Sequence, residues 1–298
     1  MRRVVVFAPN WLGDAVMALP ALADIRRAWP DATIDLAARP AISALTPLVP
    51  GITQTVRLGG RGRAITAVAN GRYEVAILLP NSFNAAWTAK RAGVPERWGY
   101  ARDFRDPLLT RAVVPPVRVH QAAYFQHLTT MLGFAPGPLE PRLVVPATAV
   151  DAAAAQLRAR GWDGRAPLVA IAPGAAYGGA KKWPAASFAA TLDLLAADGL
   201  RAVIVGAAAD AAAAADVRAA LRPSSGSGSI DLTGQTDLVT LAGVLAQCRA
   251  LVTNDSGAMH VAAALGVHVV AVFGPTNEQE TRPLGAGRST VLHGRVWC

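Results

Sequence analysis

The strongest constraint on this chain is an alternation of short β-branched runs with helical stretches that fades near residue 160 and then begins again. Residues 4–8, 33–37, 53–58 and 74–79 have strand composition. Residues 14–28, 40–48, 64–70 and 85–92 have helical composition. Strands alternating with helices pair in parallel through right-handed crossovers, so this half predicts an open α/β sheet. Helices are also expected at 120–132 and 151–160, followed by the linker GWDGRAP at 161–167. The pattern restarts with strands at 168–172, 201–205, 230–232, 250–253 and 267–273, and helices at 185–197, 210–221, 237–247 and 257–265. The expected organisation is two doubly wound, Rossmann-like domains, 1–165 and 166–298, facing across a cleft.

Composition narrows the classes. With 52% hydrophobic and 16% charged residues, global disorder is excluded. Two cysteines, Cys248 and Cys298, cannot build a disulfide scaffold or a zinc site, which suits a reducing cytoplasm. The apolar run after Arg2 and Arg3 is too short for an export signal. The uncharged stretch 256–277 is broken by His260, Gly266, His268, Gly274 and Pro275, so it reads as a helix and a buried strand rather than a membrane span. The run SSGSGS at 224–229 is a surface loop without evident chemistry. A net charge of +9 and a pI near 10.5 point to an anionic partner: nucleic acid, acidic lipid head groups or a phosphorylated substrate.

In doubly wound sheets, ligands bind beyond the carboxyl ends of the strands, where loops lead into helix N-termini. That rule selects the loops 9–14, 173–184, 206–210 and 254–260. In PNWLGD, Gly13 permits a tight turn and Asp14 sits at the helix start, either as an N-cap or as a general base. In APGAAYGGAKKWP, Gly174, Gly178 and Gly179 free the backbone, and Lys181 and Lys182 add charge before a helix, an arrangement suited to phosphate. A solvated lysine pair on a loop is the plainer alternative. The loop fits neither a Walker A motif nor, after the first strand, a dinucleotide fingerprint.

In TNDSGAMH, the polar set Asn254, Asp255, Ser256 and Gly257 opens an apolar helix with His260 in its first turn. Such a start can simply be capped, or it can cradle a diphosphate. In GAAAD, Asp210 is a weaker candidate for a ribose hydroxyl. There is no Asp-x-Asp, no His/Cys metal cluster and no Gly-x-Ser-x-Gly elbow.

Taken together, LGDAVMALPAL, PGAAYGGAKKWP and TNDSGAMHVAAALGVHVVAVFGPT resemble glycosyltransferase family 9, the bacterial heptosyltransferases, over most of the chain and in the same order. The PGAxxGxAKxWP form is most similar to the type II members. The resemblance implies a GT-B fold, with an N-terminal acceptor domain and a C-terminal ADP-sugar domain. It also implies metal-independent, inverting transfer of heptose from ADP-heptose, a co-substrate, to the inner core of lipopolysaccharide, with no cofactor.

Carried over by motif, Asp14 matches the family's catalytic residue and Lys181 its phosphate-binding lysine. Asp255, Ser256, Gly257 and His260 match the donor-binding set, which Gly174 and Asp210 join as expected donor contacts. Gly13, Arg61 and Arg63 are candidate acceptor contacts. Ala208 stands where some members carry Glu. Members of this form continue past a Trp-Cys pair, so a chain stopping at Trp297-Cys298 is expected to be short of a closing helix.

The basic charge is also uneven. Residues 1–165 carry 20 Lys+Arg and 11 Asp+Glu, and the remainder 9 of each; residues 57–118 alone carry 11 and 4. The expected partners are therefore ADP-heptose, a phosphorylated glycolipid core and the cytoplasmic face of the inner membrane, met by a monomer. Nucleic acid is not expected, because no aromatic-interleaved basic reading motif is present. The alternatives are a GT-B transferase for another nucleotide sugar and a donor-binding module with impaired catalysis.

Overall fold

The computed structural model describes residues 1–175, 181–222 and 228–294. Gly178, Gly179, residues 224–227 of the serine-glycine run and the Trp297-Cys298 end lie outside them. The chain divides into two compact units, Met1–Arg142 and Leu143–Cys298.

Unit 1 holds one sheet of β1 (Arg3–Phe7), β2 (Thr33–Ala38), β3 (Gln54–Arg57), β4 (Val75–Leu78), β5 (Glu96–Tyr100) and β6 (Arg111–Val113). The strands lie in the order 3-2-1-4-5-6, with every pair parallel. Central β1 faces helices on both sides and is therefore apolar throughout: Val4, Val5 and Val6 are completely buried. Each such side chain contributes about 1.5–3 kcal/mol relative to exposure. The helices are α1 (Leu12–Met17), α2 (Leu19–Ala28), α3 (Pro40–Ser43), α4 (Arg61–Asn70), α5 (Phe83–Arg91) and α6 (Gln121–Met131).

Unit 2 repeats the plan with β7 (Leu168–Ala172), β8 (Arg201–Ile204), β9 (Ile230–Asp231), β10 (Cys248–Asn254), β11 (His268–Phe273) and β12 (Ser289–His293). Its strand order, β12-β11-β10-β7-β8-β9, is the same 3-2-1-4-5-6 counted within the unit. Its helices are α7 (Ala147–Ala159), α8 (Ala185–Ala197), α9 (Ala211–Ala220), α10 (Leu238–Ala246), α11 (Gly257–Ala264) and the short α12 (Glu278–Thr281). No helix among the described residues is long and apolar enough to cross a membrane.

Three differences from the sequence expectation have physical causes. The single helix expected at 14–28 is two, α1 and α2, meeting at Ala18, because Pro20 near the start of α2 has no N–H to continue the ladder. Strands β5, β6 and β12 are additional. ERWGY and RAV carry charge and glycine where a strand signal would be β-branched, and β6 and β12 are edge strands, where exposed polar side chains are tolerated.

The division between units also falls at Arg142/Leu143 rather than 165/166. Helix α7 packs on α10 so closely that a Cβ at Gly243 would sit 2.5 Å from the Ala149 carbonyl oxygen. It therefore belongs to unit 2, and the 161–167 segment is an internal loop of that unit.

Candidate functional site

In a 3-2-1-4-5-6 sheet the order reverses between the first and fourth strands, and the loops leaving those two strands open a crevice. In unit 2 these are β7 and β10. From β7 the chain runs through Pro173 and Gly174; from β10 it turns through Asp255 and Ser256 into α11.

Asn254, the last residue of β10, is fully buried and ties the two loops together. Its Nδ2 donates to the Pro173 carbonyl at 2.8 Å, and its Oδ1 accepts from the Trp183 backbone N–H at 2.8 Å. The Trp183 ring packs edge-on against buried Phe188 of α8, so the KKWP segment is fixed at both its backbone and its side chain.

Lys181, held at the start of that segment, donates from Nζ to Asp255 Oδ2 at 2.9 Å, and Thr276 Oγ1 donates to the same oxygen at 2.9 Å. The pair is only partly exposed (22% for the lysine side chain, 10% for the aspartate), so its ammonium points along a defined line. Ser256 is the N-cap residue of α11, yet its hydroxyl pairs with Thr253 Oγ1 at 3.0 Å and makes no capping bond. The first backbone N–H groups of α11 thus lack a side-chain cap, the condition under which a helix start receives an anion. Elsewhere in the unit, Asp237 caps α10 by accepting from the Thr240 N–H at 2.7 Å.

Asp210 lies over the β7 loop. A Cβ at Gly174 would be 2.1 Å from Asp210 Oδ1, so only glycine admits this carboxylate, which is steadied by the Ala207 N–H at 2.8 Å. His260 lies in the first turn of α11 and is 96% buried, with 4% of its surface exposed.

In unit 1 the corresponding crevice lies between the ends of β1 and β4. Asp14 occupies the third position of α1, and Trp11 the cap position, so the capping alternative for Asp14 does not hold. Among the described residues its carboxylate has no hydrogen-bond or ion-pair partner, and partial burial raises its pKa above the ordinary 3.8. A half-buried, unneutralised carboxylate is suited to accepting a proton. Gly13 precedes it in the same helix.

A cavity of about 320 Å³ opens beside the β1 end, lined among others by Asn10, Arg39, Arg61, Ser82 and Asn84. Its two guanidinium groups and the uncapped start of α4 make it an anion-attracting hollow. Arg61 lines it. Arg63 does not; its side chain lies against Gly59.

The structure thus joins Lys181 to Asp255 and Asp210 to Gly174, and places Ser256 and Gly257 at one uncapped helix start. Sequence reasoning missed Asn254, Thr276 and Arg39 as site-builders. Asn254 was visible in the polar loop but gave no sign of bridging two loops, and Arg39 sits alone before Pro40. Among the described residues there is no group of three His, Cys, Asp or Glu able to hold a metal ion.

Comparison with known proteins fits this geometry. The family model described as glycosyltransferase family 9 (heptosyltransferase) matches residues 61–298. The chain is 31% identical to lipopolysaccharide heptosyltransferase 2 of Salmonella typhimurium, over 95% of this chain and 85% of that protein. The solved structure of Escherichia coli ADP-heptose lps heptosyltransferase II superposes with a TM-score of 0.87 at 30% identity, covering 98% of this chain and 90% of that one. A Veillonella parvula glycosyl transferase family 9 structure, at 24% identity and a TM-score of 0.88 over 98% of this chain and 86% of its own, has the same fold. The paired parallel sheets are those of the GT-B class.

Proposed function

The chain belongs to glycosyltransferase family 9, and we propose that it transfers a heptose from ADP-heptose to the inner core of lipopolysaccharide, adding the second heptose to a mono-heptosylated acceptor. The observation that carries this reading is the β7/β10 crevice. A fixed lysine, an uncapped helix start and an acidic residue over a glycine together match the diphosphate and ribose of a nucleotide sugar.

In the reaction, an acceptor hydroxyl oxygen bonds to the anomeric carbon from the face opposite the diphosphate as the carbon–oxygen bond to ADP breaks. The product is inverted. Asp14 accepts the hydroxyl proton late, once bond formation has made it acidic; the carboxylate's raised pKa brings it nearer to a useful base. The departing diphosphate gains charge, which Lys181, the N–H groups at Ser256–Gly257 and the imidazole of His260 meet without metal participation. Lys181 exchanges its bond to Asp255 for one to phosphate, and Asp255 holds it in place beforehand. Gly174 and Asp210 take the nucleoside end. Gly13, Arg61 and Arg63 serve the acceptor. The enzyme works as a monomer at the cytoplasmic face of the inner membrane, where such a glycolipid is built, and needs no cofactor.

The test is incubation with ADP-heptose and purified core acceptors of defined length, read by mass spectrometry. One added heptose, appearing only on the mono-heptosylated acceptor, is the expected result. Transfer from a different nucleotide sugar, or donor binding with no transfer to any acceptor, would overturn it.

A further inference from the structure

The strand-end rim of unit 1 carries a feature that neither donor nor proton chemistry uses. Between β5 and β6, Asp103 and Phe104 adopt left-handed backbone conformations in succession, with φ of 56° and 57°. For a bulky aromatic residue this is an unfavourable state that persists only when its surroundings impose it. The neighbour that imposes it is Arg105, which is completely buried. Its Nε donates to the Tyr100 carbonyl at 2.8 Å and its Nη1 to the Pro80 carbonyl, and its Nη2 lies against Gly99, where a Cβ would come within 3.0 Å. The loop is thereby anchored to β4 and β5, and Phe104 is turned outward with 96% of its surface exposed.

Phe104 has apolar company. Ala101 donates its N–H to the Val113 carbonyl, which brings exposed Val114 beside the same loop, and Phe83 stands exposed at the start of α5, the helix that follows neighbouring β4. The adjoining charge is basic by one, Arg102, Arg105 and Arg118 against the exposed Asp103 and Asp106. Arg102 and Arg118 are exposed, while Asp103 and Asp106 lie in the field of buried Arg105 and help to balance it. On the other half of the rim, Arg39 and Arg61 line the cavity. Unit 1 as a whole carries 17 Lys+Arg and 9 Asp+Glu, against 12 and 11 in unit 2.

We propose that this rim is a docking surface for an anionic lipid bilayer, with Phe104 entering the head-group region and the surrounding arginines holding acidic head groups. Aromatic residues beside arginines are what an interface between water and acidic lipid favours, and a net positive unit complements its charge. The inference deepens the reading of a membrane-embedded acceptor and rests on it for its purpose, but lipid binding is measurable without donor or acceptor.

The experiment is co-sedimentation of the full chain with phosphatidylethanolamine/phosphatidylglycerol vesicles and with phosphatidylcholine vesicles, at low and high salt. The parent should prefer the anionic vesicles and lose them as salt rises. Phe104→Asn tolerates the left-handed backbone, so it removes the ring without unfolding the loop, and should weaken binding about five- to ten-fold. Phe104→Trp should retain it. Leu194→Ser, which removes an exposed apolar side chain of unit 2, should leave it unchanged.

Equal binding by Phe104→Asn and parent would overturn the proposal. So would equal affinity for both lipids, or a dimer in gel filtration that dissolves with Phe104→Asn, since the rim would then be covered by a second copy. A chain that binds vesicles but transfers no sugar would sink the proposed function and leave the docking surface standing. Transfer to a delipidated acceptor without vesicle binding would do the reverse.

Discussion

The two units share a strand order and differ in how they finish it. At the reversal point of unit 2 the polar groups are paired before any ligand arrives: Asn254 joins two loops, Asp255 holds Lys181, and Asp210 fills the space over Gly174. At the equivalent point of unit 1 the carboxylate of Asp14 has no partner among the described residues, and the nearby cavity carries arginines that line a hollow. One topology thus supports two electrostatic strategies. Preassembly suits a ligand of fixed shape such as a nucleoside diphosphate. An unneutralised group suits a proton transfer, where a partner would lower the carboxylate's basicity.

Asp14→Asn tests the comparison hardest. Transfer should fall by about 10²–10⁴, the usual share of a general base, while ADP affinity by calorimetry stays at the parental value. Stability should move the other way. Burial raises the Asp14 pKa, so its stabilising contribution is present below 3.8 and is lost as pH rises through the folded-state value; at pH 7 the carboxylate is a burden. The asparagine variant should therefore melt no lower than the parent at pH 7. For the same reason the acid limb of kcat/KM should lie above 3.8 and vanish with the variant. Parental activity in Asp14→Asn would remove the distinction drawn between the two crevices.

Lys181→Ala addresses unit 2. Loss of one preorganised electrostatic donor should cost about 10²–10³ in rate and weaken ADP binding as well, a coupling not expected of Asp14. Unchanged ADP affinity would mean that the Lys181–Asp255 pair is a structural tie only.

Gly174→Ala probes preassembly with a smaller perturbation. The added methyl must displace the Asp210 carboxylate, and an overpacked site of this kind typically loses about 1–3 kcal/mol, so donor affinity should fall by roughly five- to 150-fold with the fold retained. The double variant with Asp210→Ala should recover part of the loss. If it does not, Asp210 is not what the methyl meets.

What was legible in the sequence follows the same division. Buried parallel strands read clearly because both faces are apolar: the 168–172 strand and 185–197 helix fall where composition places them. Two of the edges did not, since β6 is a three-residue strand opened by an arginine and β12 is exposed along nearly its whole length, while edge strands β3 and β9 lie within the expected 53–58 and 230–232. Among the site residues, those embedded in spaced motifs, Asp14, Lys181 and Asp255, were visible. The bridging roles of Asn254 and Thr276 were not, although Asn254 stood in the polar loop, because their work is to join segments far apart in sequence, and no local pattern encodes that distance. The unit boundary was misplaced for a related reason: the Ala-rich 147–159 helix gives no hint that it packs on the helix containing Gly243.

The smallest effect separates two arginines that sequence reasoning treated as equals. Arg61 and Arg63 lie two residues apart in GGRGR, but only Arg61 lines the cavity, together with Arg39, while Arg63 turns back over Gly59. A charged hydrogen bond made inside a hollow is worth about 1.5–3 kcal/mol, and an exposed charge about 0.2–1 kcal/mol. Arg61→Ala should therefore raise the acceptor KM about ten-fold or more, and Arg63→Ala only about two-fold, with ADP affinity unchanged in both. Steady-state kinetics with a delipidated phosphorylated acceptor reads this ratio directly, free of any membrane effect. Equal losses would mean that the acceptor meets the long-range field of a basic unit rather than a built cavity. Losses confined to the donor side would erase the contrast between the units, because the arginines of unit 1 would then be serving the same ligand as Lys181 in unit 2.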